Sequence, residues 1–99
     1  MVAINTTADL IGADQFTDAI GIVGDISLTI SGTFTGNIVV QRSFDEGSTW
    51  MDVDTFTVPT EEVGFEPAGL QYRVGVKAGE SWSGTATVGL YGYTTWRYE

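Results

Sequence analysis

Acidic residues in the middle of the chain are the first candidates for chemistry. Asp52 and Asp54 are two positions apart, a spacing that directs both carboxylates to one face of an extended strand. Glu61, Glu62 and Glu66 follow soon afterwards. Carboxylates grouped in this way can bind Ca²⁺ or act as the acid and base of a glycosidase. The chain has no EF-hand spacing and a solvated acidic face is the plainer interpretation, so we assign no metal, no cofactor and no catalytic residue.

The chain lacks two residue types on which many active sites depend. Its 99 residues include no histidine and no cysteine. Ser-His-Asp and Cys-His nucleophilic sites, the usual zinc sites, iron–sulfur clusters and disulfides are therefore excluded. A single domain of this size also has little room for a deep substrate cleft beside its core. We therefore expect a protein that is not an enzyme.

The charge balance excludes further classes of partner. Four basic residues against thirteen acidic ones leave a formal net charge of -9. Such a surface repels phosphate backbones and anionic lipids, so we expect binding neither to nucleic acid nor to membranes. The N-terminus has no basic region of the kind that begins a secretory signal. The sequence predicts a protein that stays in the cytosol or enters an assembly there.

One turn has a specific sequence pattern. Residues 43–50 read SFDEGSTW, which fits S-x-D-x-G-x-T-W and resembles the Asp-box of sialidases and other β-proteins. The resemblance implies a structural hairpin remote from any chemistry. Asp45 is expected to accept hydrogen bonds from backbone N–H groups, and Gly47 to adopt a positive φ. The residues assigned to this structural turn are Ser43, Asp45, Gly47, Thr49 and Trp50.

The elements that position these residues are strands. Apolar and polar residues alternate with period 2 through residues 25–34, 70–77 and 82–90, as in half-buried antiparallel strands. Further strands are predicted at 16–23, 38–44 and 50–58, and turns at 24–25, 36–37, 67–69 and 78–80. Neither face of the 50–58 run is cleanly apolar, which indicates a bulge or a strand covered on both sides.

These elements predict a single all-β domain over residues 16–99. About seven to eight short strands with turn signals between them are typical of an antiparallel β-sandwich, either Ig-like or jelly-roll-like. Residues 1–15 are weakly patterned and predict a flexible N-terminal arm or an edge segment. No helix is indicated.

Aromatic residues crowd the last nine positions of the chain. They form either the last strand of the core or a protein interface, with stacking on sugars as a third possibility. An arginine flanked by aromatic residues also suits an interface. The candidate protein interface consists of Tyr91, Tyr93, Trp96, Arg97 and Tyr98.

A longer stretch resembles small virion proteins of tailed bacteriophages. Residues 31–50 read SGTFTGNIVVQRSFDEGSTW, and a strand pair of the form SGTFxGxxxxQRSFDxGxTW recurs in those proteins. Later strands of that family are similar to YRVGV at 72–76 and SGTATV at 83–88. The resemblance implies a β-sandwich structural protein of the phage particle. Within that class it favours a capsid decoration, or cement, protein that binds the major capsid protein lattice and stabilises the head.

The resemblance also implies partners and a location. The partners would be the major capsid protein or other virion proteins, with a homo-oligomer, preferably a trimer, as the assembled form. The protein would lie on the capsid surface, and in the host cytoplasm before assembly. Two alternatives remain open: a head–tail adaptor or fibre-base component, and a carbohydrate-binding module that uses Trp50, Trp82 and Trp96.

Overall fold

The predicted all-β antiparallel fold is confirmed by the computed structural model, which describes residues 2–94. These residues form seven strands and no helix, so none of them forms a helix that could cross a membrane. All strand pairings are antiparallel, in the order β1-β7-β3-β6-β4-β5, and β2 pairs with β6. The strands are β1 (Val2–Leu10), β2 (Gln15–Phe16), β3 (Ile20–Thr35), β4 (Ile38–Ser43), β5 (Met51–Phe56), β6 (Thr60–Val76) and β7 (Ser83–Thr94).

The sheet folds over into a sandwich because two strands are long enough to take part in both layers. β3 and β6 have 16 and 17 residues. Residues 27–35 of β3 pair with β7 in one layer, whereas residues 71–75 of β6 pair with β4 in the other. The inward faces of both layers share one apolar core, which comprises Leu10, Ile20, Ile22, Leu28, Ile30, Ile38, Val40, Tyr72, Val74, Val76, Ala86, Val88 and Leu90.

Two of the predicted turns are bends within the long strands. Ile22 pairs with Leu70 and Gly24 pairs with Glu66, so the register shifts at this point. Gly24 and Gly69 have φ angles of 88° and 75°, in the left-handed region that glycine adopts most easily. Glycine and proline therefore mark the place where both strands bend from one layer to the other, and not a chain reversal.

These bends correct two predicted boundaries. The strands predicted at 16–23 and 25–34 are joined, from Ile20 onward, in the single strand β3. Residues 61–66, for which no strand was predicted, belong to the N-terminal half of β6 and pair with β3. The strands are consequently longer than the short strands expected from the sequence.

The first residues of the chain form an edge strand. β1 pairs with β7 along its whole length, from Val2 opposite Thr94 to Leu10 opposite Ala86. Leu10 is almost completely buried, and Ile4 packs against the core. Of the two possibilities for residues 1–15, the structure has the edge segment, and a flexible arm is wrong for residues 2–10.

Candidate interaction surfaces

The turn between β4 and β5 is held together by its own side chains. Ser43 Oγ donates to Asp45 Oδ1 at 2.8 Å and accepts a hydrogen bond from Gly47 N at 2.8 Å. Asp45 Oδ1 also accepts from Thr49 N at 2.8 Å. Gly47 has a φ of 94°. These bonds to Asp45, that of Ser43 Oγ above all, hold the pKa of its carboxyl below the ordinary value.

Removing the Ser43 hydroxyl is expected to loosen this turn. Ser43→Ala should lower the free energy of unfolding by about 1–2 kcal/mol. The Ser43 side chain is buried, and without its hydroxyl the N–H groups of Asp45 and Gly47 lose their acceptor. Urea unfolding measures this loss, and NMR titration should show the pKa of Asp45 rising towards its ordinary value. Ser48→Ala, on the exposed side of the same turn, is the control. An equal effect of both changes would contradict the role of Ser43.

Trp50 follows the turn and takes part in a cation–π stack on the outer face of the β4–β6 layer. The Arg73 guanidinium carbon lies 4.0 Å from the Phe16 ring centroid and 4.4 Å from that of Trp50. Arg73 Nε donates to Gln41 Oε1 at 2.9 Å, and burial lowers the pKa of Arg73. The Trp50 ring is half-buried and stacks on the protein's own cation.

Asp52 belongs to the same polar face, whereas Asp54 does not. Asp52 accepts from Gln41 Nε2 at 2.8 Å and from Lys77 Nζ at 2.7 Å, and the Lys77 hydrogen bond is the main reason that the pKa of Asp52 is lowered. The register between β4 and β5 shifts between Val40, opposite Asp54, and Gln41, opposite Asp52. The expected bulge is therefore present.

The bulge also corrects a prediction about the carboxylates. The residue between Asp52 and Asp54 is the extra one of the bulge, so the two side chains follow opposite faces and not one. Asp54 lines a cleft on the other side of β5. In residues 2–94 no group of three or more acidic, histidine or cysteine side chains is placed to hold a metal ion.

A buried carboxylate joins β4 to two parts of β6. Glu66 is 1 % exposed; its Oε1 accepts from Tyr72 Oη at 2.6 Å and lies 3.3 Å from Arg42 Nη2. Its Oε2 accepts from Ala68 N at 2.9 Å. Burial, and then the Glu66 carboxylate, raise the pKa of Tyr72. The sequence grouped Glu66 with the exposed acidic residues, because no local pattern indicates that this carboxylate is buried.

The raised pKa of Tyr72 predicts a loss of stability at alkaline pH. A tyrosine whose pKa is higher in the folded state contributes its full stability below the unfolded pKa of about 10, and this contribution is lost as the pH rises further. The free energy of unfolding should therefore fall above that pH, and less steeply in Tyr72→Phe. Urea unfolding between pH 9 and about 11 measures the slopes. Tyr91→Phe, at an exposed ring, is the control and should keep the wild-type slope.

A cleft of about 370 Å³ opens between β5 and the N-terminal half of β6; we call it the side cleft. Core residues, among them Leu28, Val40 and Leu90, form its floor, and the Arg42–Glu66–Tyr72 cluster lines one part of it. The rim is formed by Val53, Asp54 and Phe56 of β5 and by residues 62–67 of β6.

An exposed apolar patch lies on the outer face of the layer in which β3 pairs with β7. Ser27 of β3 is the cross-strand partner of both Val63 and Tyr91, so these side chains share a face. Phe65 and Tyr93 follow two residues further along their strands. Val63 is 84 % and Phe65 67 % exposed, and both tyrosines are also exposed. We call Val63, Phe65, Tyr91 and Tyr93 the outer patch.

The outer patch contains part of the interface predicted from the sequence. Tyr91 and Tyr93 belong to it, whereas Trp96, Arg97 and Tyr98 lie outside the described residues. Val63 and Phe65 were not predicted, although their spacing of two in an acidic segment was a usable strand signal. The remaining described tryptophan, Trp82, stacks on Phe34 with ring centroids 5.2 Å apart and an interplanar angle of 8°.

Comparison with known proteins adds no assignment: no protein-family model, no curated protein and no solved structure matches the chain.

Proposed function

We propose that the chain is a non-enzymatic structural protein of a tailed-phage particle, a capsid decoration protein that binds the major capsid protein lattice. The outer patch carries the proposal. Exposed apolar residues that are scattered singly are normal, but a group of them on one face marks an interaction site. Here β6 and β7 each contribute two exposed aromatic or aliphatic side chains to one outer face, and β3 runs between the two pairs.

The chemistry of the patch suits a protein partner. Tyrosine and phenylalanine are enriched at protein interfaces, where a few aromatic anchors contribute most of the binding energy. Exposed Asp25 and Ser27 of β3 lie between the two apolar pairs and supply polar groups. Burial of the patch against neighbouring lattice subunits would link those subunits and oppose the pressure of the packaged genome.

The charge and the sequence resemblance agree with this role. A net charge of -9 keeps the protein away from the genome and soluble before assembly. The strands at 31–50 and 72–76 resemble those of proteins of this structural class. Assembly as a trimer at local three-fold positions of the lattice is part of the proposal.

Shells assembled from the major capsid protein, with and without this chain, test the proposal. The chain should bind the shells and raise the temperature at which they come apart. Phe65→Ser should weaken binding at least tenfold. Ile11→Ser is a matched control because Ile11 is 66 % exposed, like Phe65 at 67 %, but lies outside the patch. Absence of binding, or shells of equal stability with and without the chain, would contradict the proposal.

A further inference from the structure

We infer that the free side of β6, from Thr60 to Glu66, accepts an extended basic segment of the partner protein as an additional strand. We call these residues the β6 edge. The inference rests on the proposed function, because it describes how the chain holds another protein. It goes further by naming the backbone that binds and the chemistry of the segment that is bound.

The β6 edge is a regular strand with one side free. Within residues 2–94, residues 60–66 pair with β3 only, and β4 begins its pairing with β6 at Gln71. Pro59 and Pro67 bracket the edge, and proline cannot donate to a ladder, so pairing is confined to the residues between them. A partner segment of about seven residues, at about 3.3 Å per residue, matches this length.

The other free edges of the sheet are less suitable. β5 lies at one end of the sheet but contains the bulge at Val53, and bulges hinder the pairing of edge strands. β1 lies at the opposite end of the sheet and contributes none of its residues 2–10 to the side cleft. Among residues 2–94, the rim of the side cleft is formed by β5 and β6. Of these two strands, β5 contains the bulge, whereas β6 pairs regularly with β3 over residues 60–66.

An added strand would have a surface to cover on each face. Side chains of a strand alternate between faces, so those of the partner would point in turn to the side cleft and to the outer patch. Gly64 and Glu62 pair with Ile26 and Leu28 on the cleft side, whereas Val63 lies on the patch side. At about 370 Å³ the side cleft is at the small end of ligand pockets, a size that suits a few apolar side chains.

The charge around the edge indicates a basic partner. The chain has no lysine or arginine between Arg42 and Arg73. Glu61 and Glu62 are exposed on the edge itself, and Asp54 stands on the opposite wall of the cleft. A second copy of this acidic chain would place carboxylate against carboxylate, a charge arrangement that prevents self-pairing of edges. A lysine- or arginine-bearing segment with alternating apolar residues complements both the charge and the two faces.

Peptide binding to the intact chain tests the inference. The probes are a heptapeptide with alternating valine and lysine and the same peptide with glutamate in place of lysine. The lysine peptide should slow amide hydrogen exchange in residues 60–66 and bind at least tenfold more tightly than the glutamate peptide. Slower exchange in β1 or β5 instead, or equal binding of the two peptides, would overturn the inference.

Two pairs of variants locate the site. A Cβ on Gly64 would meet no atom within 4 Å, so Gly64→Leu can fold and place its side chain in the cleft, where it should weaken peptide binding at least tenfold. Gly12→Leu, in equally open space away from the cleft, should bind normally. The double change Glu61→Lys and Glu62→Lys should also weaken binding, unlike Asp18→Lys with Glu46→Lys, which alters the net charge equally.

The outcomes separate this inference from the proposed function. If the wild-type chain binds capsid shells but the lysine peptide leaves exchange in residues 60–66 unchanged, the strand-accepting edge is rejected and the decoration role stands. If the peptide slows exchange in residues 60–66 but the chain does not bind shells, the decoration role is rejected. The edge then remains a strand acceptor for another basic protein.

Discussion

Replacement of Glu66 by alanine is expected to lower the free energy of unfolding by about 3 kcal/mol. The change removes the acceptor of the Tyr72 hydroxyl and of Ala68 N, and the partner of the Arg42 guanidinium. Loss of one member of a buried ion pair costs about 3–5 kcal/mol because the other charge is left behind. The Arg42 side chain is 33 % exposed, so solvent screens it in part and the lower end of that range applies.

Chemical denaturation of the wild type, three single variants and one double variant measures the role of Glu66. Glu62→Ala, an exposed carboxylate on the same strand, is the control and should change stability by less than about 0.5 kcal/mol. Arg42→Ala combined with Glu66→Ala should cost less than the sum of the single changes, because the two side chains interact directly. If Glu66→Ala were as stable as Glu62→Ala, the carboxylate would not join β4 to β6.

Gly75→Ala is expected to destabilise the fold by a similar amount, about 3 kcal/mol. A Cβ at this position would overlap with Gln15 O and lie 2.6 Å from Phe16 Cα, both in the backbone of β2. Backbone atoms cannot rotate aside as a side chain can, so β2 must separate from β6. Phe16 would then leave Arg73, and the fluorescence of the neighbouring Trp50 should change in the folded state.

The control for Gly75 is another glycine of the same strand. Gly64→Ala adds the same methyl group where nothing lies within 4 Å, and its stability should remain near that of the wild type. Thermal unfolding of the two variants, followed by circular dichroism, makes the comparison. Equal melting temperatures would show that β2 does not pack on Gly75 as described.

The strands of the core could be predicted because burial on one face imposes a period of two. Leu28 and Ile30 of β3, and Val88 and Leu90 of β7, are buried as their alternation predicts. The length of β3 and β6 could not be predicted in the same way. The same glycines and prolines that reverse a chain also allow a strand to bend, and only the pairing partner distinguishes the two.

The edge strand β1 was harder to recognise for a different reason. Most of its residues contact solvent, so little apolar alternation is required of it. Its pairing with β7 is set by the backbone along the whole strand, and among its apolar residues only Leu10 is fully buried. A weak pattern in such a segment is therefore compatible with a fully paired strand.

The candidate surfaces depended on register, which the sequence does not contain. Crowded aromatic residues were enough to select Tyr91 and Tyr93. Their position on the same face as Val63 follows only from the pairing of one residue of β3, Ser27, with both neighbouring strands. A single-residue bulge likewise separates Asp52 from Asp54, and one inserted residue cannot be read from a strand pattern that is irregular on both faces.

The pairing of Val2 with Thr94 has a practical consequence for handling the protein. It places Val2 and Thr94, the first and last residues that the structure describes, at one corner of the domain, next to Tyr93. An affinity tag or fluorescent fusion joined close to Val2 would therefore crowd this surface and compete with a docking partner there. Ala78, in the exposed turn after β6, is a better position for a label than the neighbouring Gly79, whose φ of 82° disfavours an added side chain. A short linker from Thr94 to Val2 should also permit circular permutation, with new ends opened at that turn.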